Sequence, residues 1–416
     1  MEAKLITRFP SGIVTPPSSK SLCHRAVLCA ALANGETESV IRHLSLSDDI
    51  AATLAAAATL GASWRWEKDE LYIRGGLVTQ STEPLHIDCG ESGSTLRFLV
   101  PVAAATGREA IFTGRGRLLE RPMDTYRDLF TGIGGQFVQS PQELRVQGAL
   151  PGGDYALPGD ISSQFISGLL FALPLAQRDS TLRLTTPLES AQYVDLTLDT
   201  LAAFGITITQ KDGVYHIPGG QRYRPAAYTV EGDYSQAAFF LAAAALGCPV
   251  RVRGMNPDSH QGDRAIWQVL TDMGATVTQH GDLLTVTADR LSAVTVDARA
   301  IPDLIPPIAV LCCFCTGTSH IINAGRLRLK ESDRLHALAV ELGKLGAIVT
   351  EGADSLTITG ADTLPGGQVD SWNDHRIAMA MAVAAIKCRE PVTLTDWQSV
   401  NKSYPDFWRD YEGATL

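Results

Sequence analysis

Apolar and polar positions repeat along this chain in a unit of about 70 residues. Each unit begins with a run that is apolar on nearly every face, which is typical of a fully buried helix. A second helical pattern follows and ends at a glycine, which supplies a left-handed stop. Two short stretches of alternating apolar and polar residues come next, and such alternation predicts paired strands. The glycines are Gly61, Gly134, Gly205, Gly274 and Gly346.

The pattern predicts where individual helices and hairpins lie. Buried helices are expected at 22–32, 96–105, 165–175, 237–246, 305–315 and 377–386. The second helix of each unit is expected to open at or just after an aspartate. These aspartates are Asp49, Asp124, Asp195, Asp263, Asp333 and Asp406. Alternation also predicts a hairpin of 206–209 with 214–217, and another of 275–278 with 283–286. The chain is therefore predicted to contain six α/β units.

The sixth unit lacks a hairpin, because no glycine follows Asp406 at the expected interval. A strand-like stretch at 4–9 precedes the first buried helix and has no place in the first unit. Since an unpaired sheet edge is a liability, we expect this stretch to complete the sixth unit. A chain of 416 residues exceeds one typical core. The six units therefore divide into two predicted domains of three, one at 17–227 and the other at 1–16 plus 228–416.

Charge and cysteine content disfavour several classes of protein. The net charge is −10, with an isoelectric point near 5.4, which argues against a general nucleic-acid or anionic-membrane surface. The apolar runs are shorter than the roughly 18 residues of a membrane span. The eight cysteines do not show the spacing of a zinc site. We therefore expect buried free thiols, no metal and a reducing, cytoplasmic setting.

Polar and charged residues stand at the starts of the buried helices. Serine and aspartate there cap free N–H groups, and capping is our interpretation of Asp233 and Ser235. Capping does not explain the basic residues, which are Lys20, Arg25, Arg97, His375 and Arg376. A cation near a helix N-terminus is unfavourable unless an anion binds there. More charged residues lie at or near the starts of the second helices, namely Arg121, Lys330, Glu331, Arg334 and Lys402. These positions predict a ligand with more than one anionic group.

Seven segments match, in order, the motifs of a known family. They are Lys20-Ser21 with Arg25, Glu91-Ser92-Gly93-Ser94 with Arg97, Glu120-Arg121-Pro122-Met123, Ser162-Ser163-Gln164, Lys330-Glu331-Ser332-Asp333-Arg334, Asn373-Asp374-His375-Arg376 and Lys402-Ser403-Tyr404-Pro405-Asp406. The chain thus resembles the 5-enolpyruvylshikimate-3-phosphate (EPSP) synthases. The resemblance implies an α/β (α+β) fold, namely a two-domain inside-out α/β barrel of six βαβαββ-like repeats, three per domain. It also implies an active site in the cleft between the domains.

The resemblance further implies a reaction and a set of binding residues. The enolpyruvyl group of phosphoenolpyruvate (PEP) would pass to the 5-hydroxyl of shikimate 3-phosphate, with release of phosphate, in aromatic amino acid biosynthesis. Contacts to shikimate 3-phosphate would come from Lys20, Ser21, Arg25, Ser162, Ser163, Gln164, Ser190, Tyr193, Asp303 and Lys330. Contacts to PEP would come from Lys20, Gly93, Ser94, Arg97, Arg121, Gln164, Arg334, Arg376 and Lys402. The chain departs from the family pattern at Glu91 and Arg326.

The implied chemistry needs proton transfers and no cofactor. We expect Asp303 or Lys20 to take the hydroxyl proton, and Glu331 to donate a proton to the PEP methylene and later to remove one. His375 is a candidate proton partner of Glu331, with ligand binding or a structural role as alternatives. Lys330 and Arg334 would lower the pKa of Glu331, whereas burial would raise it. We expect the two small molecules to be the only partners and the protein to be a monomer.

Three rival functions fit the same scaffold. The transferase that acts on UDP-N-acetylglucosamine usually has Lys-Asn near its N-terminus and a reactive cysteine. Here Ser21 follows Lys20, and the stretch 108–121 contains Arg115 and Arg117 but no cysteine. A non-catalytic phosphometabolite-binding protein would gain little from acids that face anions. An RNA-end-processing enzyme is disfavoured by the negative charge and by the lack of interleaved arginine and aromatic residues.

Overall fold

The chain folds into two compact units. The structure, a computed structural model, describes residues 3–77 and 81–413. Unit 1 comprises Met1–Ser19 and Glu231–Leu416, and unit 2 comprises Lys20–Val230. Within the described ranges, every helix is too short or too polar to cross a membrane.

Two kinds of helix alternate along the chain. The helices are α1 (Lys20–Leu32), α2 (Asp48–Leu60), α3 (Gly93–Ala105), α4 (Asp124–Gly132), α5 (Ser163–Ala172), α6 (Ala191–Ala203), α7 (Tyr234–Ala245), α8 (Ile266–Asp272), α9 (Ile305–Cys312), α10 (Arg334–Lys344), α11 (His375–Ala385) and α12 (Phe407–Tyr411). The odd-numbered helices are buried on nearly all faces and form the cores of their units. The six predicted buried helices are therefore confirmed.

Most of the buried helices begin a few residues before their predicted starts, because the polar capping segment is itself helical. Two of them end three residues earlier than predicted. Helix α5 stops at Ala172, and Leu173–Leu175 forms a 3-10 turn around Pro174. Helix α9 stops at Cys312. A proline lacks the N–H that would continue an α-helical ladder, which explains the first of these two ends.

The strands are short and belong to six sheets. They are β1 (Ala3–Ile6), β2 (Gly12–Val14), β3 (Ser39–Arg42), β4 (Ser63–Glu67), β5 (Glu70–Arg74), β6 (Leu85–Asp88), β7 (Ala110–Thr113), β8 (Gln136–Gln139), β9 (Leu144–Gln147), β10 (Asp154–Leu157), β11 (Ser180–Leu184), β12 (Thr209–Lys211), β13 (Val214–Ile217), β14 (Ala227–Thr229), β15 (Val250–Arg253), β16 (Thr276–His280), β17 (Leu283–Thr287), β18 (Thr295–Asp297), β19 (Thr318–Ile322), β20 (Ile348–Glu351), β21 (Leu356–Thr359), β22 (Gly367–Asp370) and β23 (Val392–Thr395).

Five of these sheets share one strand order. In the sheet β6-β7-β9-β8, the first pair is parallel and the other two pairs are antiparallel. The same order recurs in β10-β11-β13-β12, β14-β3-β5-β4, β18-β19-β21-β20 and, read from its other end, β16-β17-β15-β2. In the parallel pairs β6-β7, β10-β11, β18-β19 and β22-β23, the buried helix between the two strands supplies the crossover that such a pair needs. Helices α1 and α7 likewise come after β2 and β14. The start of each buried helix thus follows the carboxyl end of a strand.

The N-terminal segment contributes to two sheets of unit 1. Strand β1 pairs antiparallel with β23, with Leu5 opposite Thr393. It therefore completes the sixth repeat of about 70 residues, as predicted. Strand β2 pairs parallel with β15, which the sequence pattern did not show. In unit 2, strand β14 supplies the parallel partner of β3 in the same way. Both three-residue strands are too short to carry an alternating signature.

The glycine stops are confirmed, and two local predictions are wrong. All five glycines have positive φ, from 78° at Gly134 to 116° at Gly61. Asp195 does not open a helix, because α6 already starts after Ser190, whose φ of 55° turns the chain. The strand predicted at 206–209 forms only from Thr209 onward. Before it, the Thr207 N–H donates to Gln221 Oε1 at 2.7 Å instead of to a neighbouring strand.

Candidate functional site

Most predicted site residues of unit 2 gather at the starts of α1, α3, α5 and α6. We call this group the Lys20 cluster, and its members are Lys20, Ser21, Arg25, Gly93, Ser94, Arg97, Arg121, Ser162, Ser163, Gln164, Ser190 and Tyr193. Those of unit 1 gather around the starts of α9, α10 and α11. We call them the Asp303 cluster, with members Asp303, Lys330, Glu331, Arg334, His375, Arg376 and Lys402.

Lys20, the first residue of α1, forms an ion pair with an acid that the sequence analysis treated only as a helix marker. Its Nζ lies 2.7 Å from Asp49 Oδ2, and the two side chains are 17% and 9% exposed. Asp49 stands in the first turn of α2, where a carboxylate also favours the helix dipole. The pair holds the ammonium group at the start of α1.

Arg25 ties α1 to α6 within unit 2. Its guanidinium donates to Ser21 O at 2.6 Å, to Tyr193 O at 2.7 Å and to Thr197 Oγ1 at 2.8 Å. Burial lowers the pKa of Arg25 to about 10. A guanidinium has five N–H donors, so part of its capacity is committed to the protein. Ser190, the residue before α6, has a left-handed backbone conformation with a φ of 55°.

Two arginines and a glutamine surround the start of α3. A Cβ atom on Gly93 would lie 2.7 Å from Arg121 Nη1 and 3.2 Å from Arg97 Nη1, so the glycine leaves room for both guanidinium groups. Arg97 Nη1 donates to Gln164 Oε1 at 2.7 Å, and Gln164 Nε2 donates to Ser94 Oγ at 2.9 Å. Two cations at a helix N-terminus form an arrangement that suits a carboxylate or phosphate.

A buried chain of hydroxyl groups fixes these helix starts to one another. His24 Nδ1 lies 2.7 Å from Thr53 Oγ1, which lies 2.6 Å from Thr95 Oγ1, and Thr95 Oγ1 donates to Ser92 Oγ at 2.7 Å. Burial, followed by the charge of Lys20, lowers the pKa of His24 well below its usual value. The imidazole is therefore neutral and structural, and it links α1 through α2 to the cap of α3.

In the Asp303 cluster, one carboxylate faces three cations. Asp303 Oδ1 lies 2.9 Å from Arg334 Nη1 and 3.4 Å from Lys330 Nζ. Its Oδ2 lies 3.2 Å from Arg376 Nη2. The Asp303 side chain is 20% exposed, so solvent does not replace these partners. Arg376 Nη2 also donates to Ser235 Oγ at 2.9 Å. The capping predicted for Asp233 is confirmed, whereas that predicted for Ser235 is wrong, because Ser235 donates to the Asp233 cap.

Arg334 is anchored by Asp374, which the sequence analysis quoted in a motif but did not assign to the site. Arg334 Nε donates to Asp374 Oδ2 at 2.8 Å, and Nη2 donates to Oδ1 at 3.2 Å. Burial opposes the charge on Arg334, but Asp374, Glu331 and Asp303 outweigh burial and raise its pKa. Burial likewise opposes the charge on Asp374, but Arg334 lowers its pKa. Asp374 also caps α11.

Glu331 and His375 are in direct contact. His375 Nδ1 lies 2.8 Å from Glu331 Oε2, a hydrogen-bonding distance with imperfect alignment. Arg334 Nη2 lies 3.7 Å from the same oxygen. The His375 side chain is 1% exposed and that of Glu331 is 15% exposed. A carboxyl group that touches an imidazole and opens to solvent on one side is suited to proton transfer.

Two lysines complete the Asp303 cluster. Burial lowers the pKa of Lys330 to about 8, although Asp303 opposes this shift. Lys402, at the end of the 3-10 helix Trp397–Lys402, donates from Nζ to Asn373 O at 2.5 Å. The Lys402 side chain is buried. Both ammonium groups are therefore held by protein oxygen atoms.

One trio of this cluster has the donor types of a metal site. Glu331, Asp374 and His375 place one ligand atom each within 4.8 Å of one another. Both oxygens of Asp374 already accept from Arg334, and Oδ2 also accepts from Ser332 Oγ at 3.0 Å. A metal ion would have to displace a buried guanidinium, so the trio fits proton transfer better than cation binding.

Comparison with known proteins identifies the family. The family model described as EPSP synthase (3-phosphoshikimate 1-carboxyvinyltransferase) matches residues 8–411. A relative from Clostridium kluyveri named 3-phosphoshikimate 1-carboxyvinyltransferase is 44% identical, over 96% of this chain and 94% of its own. A relative of the same name from Clostridium novyi is also 44% identical, over 98% and 96%.

Solved structures agree with the sequence relatives. EPSP synthase from Acinetobacter baumannii matches with a TM-score of 0.79 and 25% identity, over 99% of this chain and 97% of that one. The enolpyruvyl transferase NikO from Streptomyces tendae matches with a TM-score of 0.78 at 18% identity, over 98% and 96%, which shows the fold alone. Fold and relatives together define a transferase with the two-domain inside-out α/β fold. The chain belongs to the EPSP synthase family.

Proposed function

We propose that this enzyme transfers the enolpyruvyl group of PEP to the 5-hydroxyl of shikimate 3-phosphate and releases phosphate, a step of aromatic amino acid biosynthesis. Membership of the family supports this reaction, and the alternative transferase acting on UDP-N-acetylglucosamine is not favoured by the relatives. The structural observation that carries the proposal is the 2.8 Å contact of Glu331 with His375 beside a group of cations. It combines a proton-transfer group with binding capacity for two anions.

Residues of both units are proposed to act on the same pair of substrates. For shikimate 3-phosphate we propose Lys20, Ser21, Arg25, Ser162, Ser163, Gln164, Ser190, Tyr193, Asp303 and Lys330. For PEP we propose Lys20, Gly93, Ser94, Arg97, Arg121, Gln164, Arg334, Arg376 and Lys402. The convergence of two guanidinium groups on Gly93 supports the PEP assignment in unit 2. The helix starts add N–H dipoles that favour anions.

The first step adds the alcohol across the PEP double bond. The 5-oxygen forms a bond to C2 of PEP while its proton leaves, and C3 receives a proton to become a methyl group. We propose Glu331 as the proton donor to C3. The contact with His375 supports this role, because the imidazole gives the acid a partner through which its proton can be replaced.

Asp303 is the better candidate for the acceptor of the hydroxyl proton. Lys20 is paired with Asp49 at 2.7 Å, and an ammonium group in such a pair has no free electron pair for a proton. Asp303 is a carboxylate paired with three cations, and these cations are proposed substrate contacts. When anionic substrates bind the cations, Asp303 loses counter-charge, and a carboxylate with less counter-charge is a stronger base.

The second step eliminates phosphate from the tetrahedral adduct. A proton leaves C3, the C2–C3 double bond re-forms, and the C2–O bond to phosphate breaks. We propose that Glu331, now ionised, removes this proton, as the reverse of its first role. The proposed PEP contacts Arg334, Arg376 and Lys402 would stabilise the charge of the departing phosphate.

A direct assay tests the proposal. Purified enzyme should release inorganic phosphate from PEP only when shikimate 3-phosphate is present, with the enolpyruvyl ether as a stoichiometric product. Release that requires UDP-N-acetylglucosamine instead would favour the alternative transferase. Binding of both ligands without phosphate release would favour a non-catalytic binding protein. The cytoplasmic location and the monomeric state stay predictions, and the eight free thiols support the former.

A further inference from the structure

The two residues before Asp374 adopt a backbone conformation that ordinary side chains rarely take. Trp372 has a φ of 57° and Asn373 a φ of 51°. A left-handed conformation is costly for a residue with a side chain and persists only where the surroundings enforce it. The segment 370–373 leads directly into His375, so its conformation determines where that imidazole lies.

A buried acid on α10 holds this segment. The Glu341 side chain is fully buried. Its Oε1 accepts from Trp372 Nε1 at 2.6 Å, and its Oε2 accepts from the Asp370 backbone N–H at 3.0 Å. Lys344 Nζ lies 2.8 and 3.0 Å from the two oxygens and supplies the counter-charge. One carboxylate therefore fixes the segment on both sides of Ser371.

Helix α10 contacts the chain around His375 at a second point. Arg334, in its first turn, binds both oxygens of Asp374. Glu341 follows seven residues later, which at 1.5 Å per residue is about 10 Å along the helix axis. Glu331 stands three residues before the start of the same helix. Two contacts along one rigid helix thus set the position of His375 relative to Glu331.

We propose that Glu341 is a positioning residue for the reaction, because its bonds to Trp372 and Asp370 hold segment 370–373 in the strained form that places His375 against Glu331. Glu341 does not itself touch the reacting atoms. The inference rests on the proposed function, since it takes Glu331 as the group that transfers the proton. The ring of Trp372 also packs edge-on against the ring of His336, with 5.6 Å between the ring centroids, which keeps the indole in place.

Glu341→Gln is the informative variant, because it keeps the shape and removes one acceptor. In either orientation of the introduced side-chain amide, its NH2 group would face the N–H donor of Trp372 or that of Asp370. Two donors cannot form a hydrogen bond with each other, so one of the two contacts is lost. The displaced segment should lower kcat by roughly 10- to 100-fold, with the Kd for shikimate 3-phosphate within about twofold of the parent. Lys344→Arg is the matched control: it keeps the counter-charge of Glu341 from a half-exposed position and should retain parental kcat.

Two combinations separate positioning from a general loss of structure. In Glu341→Gln/Trp372→Phe, the amide NH2 can face the site that the indole donor vacates, so kcat should recover relative to Glu341→Gln alone. In a Glu331→Gln background, Glu341→Gln should cause no further loss, because the positioned acid is gone. Equal losses in both backgrounds, or parental kcat in Glu341→Gln, would overturn the inference.

A crystal structure of Glu341→Gln gives a readout that does not need activity. The separation of His375 Nδ1 from Glu331 Oε2, 2.8 Å in the parent, should increase by about 1 Å, the displacement scale that affects catalysis. An unchanged separation contradicts the positioning role. If the parent releases no phosphate in the presence of shikimate 3-phosphate, the proposed function fails, while this separation still tests the role of Glu341.

Discussion

Raising the pH from 7 to 9 should weaken the binding of shikimate 3-phosphate to this enzyme, because it removes the charge of Lys330. Burial lowers the pKa of this lysine to about 8; Asp303 opposes the shift, and Arg334, Arg326 and Arg376 add to it. The charged form therefore exists below pH 8 and is lost above it. A bound phosphate stabilises the ammonium, so the complex keeps its proton to higher pH.

The size of the effect follows from the fraction of neutral lysine. With a pKa of about 8, roughly one tenth of free Lys330 is neutral at pH 7 and roughly nine tenths at pH 9. If only the charged form binds the substrate phosphate, the Kd rises about tenfold between these pH values, or about 1.4 kcal/mol. The thiols of Cys248, Cys315 and Cys388 do not interfere with this measurement, because desolvation raises their pKa to about 11.

Titration calorimetry at pH 7, 8 and 9 measures this change directly. Shikimate without its phosphate should show a much weaker pH dependence. Lys330→Arg retains its charge throughout this range, so its Kd should stay level even if it is weaker overall. A Kd for the parent that does not change from pH 7 to 9, or an equal rise in Lys330→Arg, would refute the assignment of Lys330 to the phosphate.

Other substitutions test the remaining roles. Glu331→Gln should lower kcat by about 10²–10⁴-fold while the affinity for shikimate 3-phosphate holds, and turnover near the parental rate would exclude it as the proton-transfer group. Lys20→Ala should raise the KM for PEP. It should also lower the melting temperature, because Asp49 is left with less counter-charge. The double variant Lys20→Ala/Asp49→Ala should regain stability but not PEP binding. Gly93→Ala places a methyl group 2.7 Å from Arg121 Nη1. It should raise the KM for PEP, measured by steady-state kinetics, by roughly tenfold or more. The affinity for shikimate 3-phosphate, measured by calorimetry, should not change.

The repeat was visible in the sequence because local patterns carry it. Helical and strand periodicities differ, and a left-handed glycine marks each boundary between them. This explains why the buried helices, and the glycines that end the second helices, were predicted correctly. Strands β2 and β14 escaped prediction because three residues show no period, and because their partners lie far away along the chain. Val250 lies opposite Gly12, for instance, and Ala227 lies opposite Val40.

The candidate site was predicted unevenly for a similar reason. Basic residues at helix starts contradict the helix dipole, so Lys20 and Arg376 stood out from the sequence alone. The acids that hold them did not, because aspartate at a helix start looks like an ordinary cap. Asp49 and Asp374 acquire their second role from cations 29 and 40 residues away. Glu341 lies in the last turns of α10, where an acidic residue is ordinarily solvated, so the sequence did not point to its contact with Trp372.

The internal partners of the cations also affect the order of events in catalysis. Lys20, Arg334, Arg376 and Lys402 each bind a protein oxygen in this structure. Buried cations without partners would be strongly destabilising, so these contacts stabilise the protein when substrate is absent. An anionic substrate must then replace a partner, and only a ligand with correctly spaced charges can replace several at once. We propose that Asp303 becomes a stronger base as its cations are taken up, so that it would activate the hydroxyl only after the anions have bound.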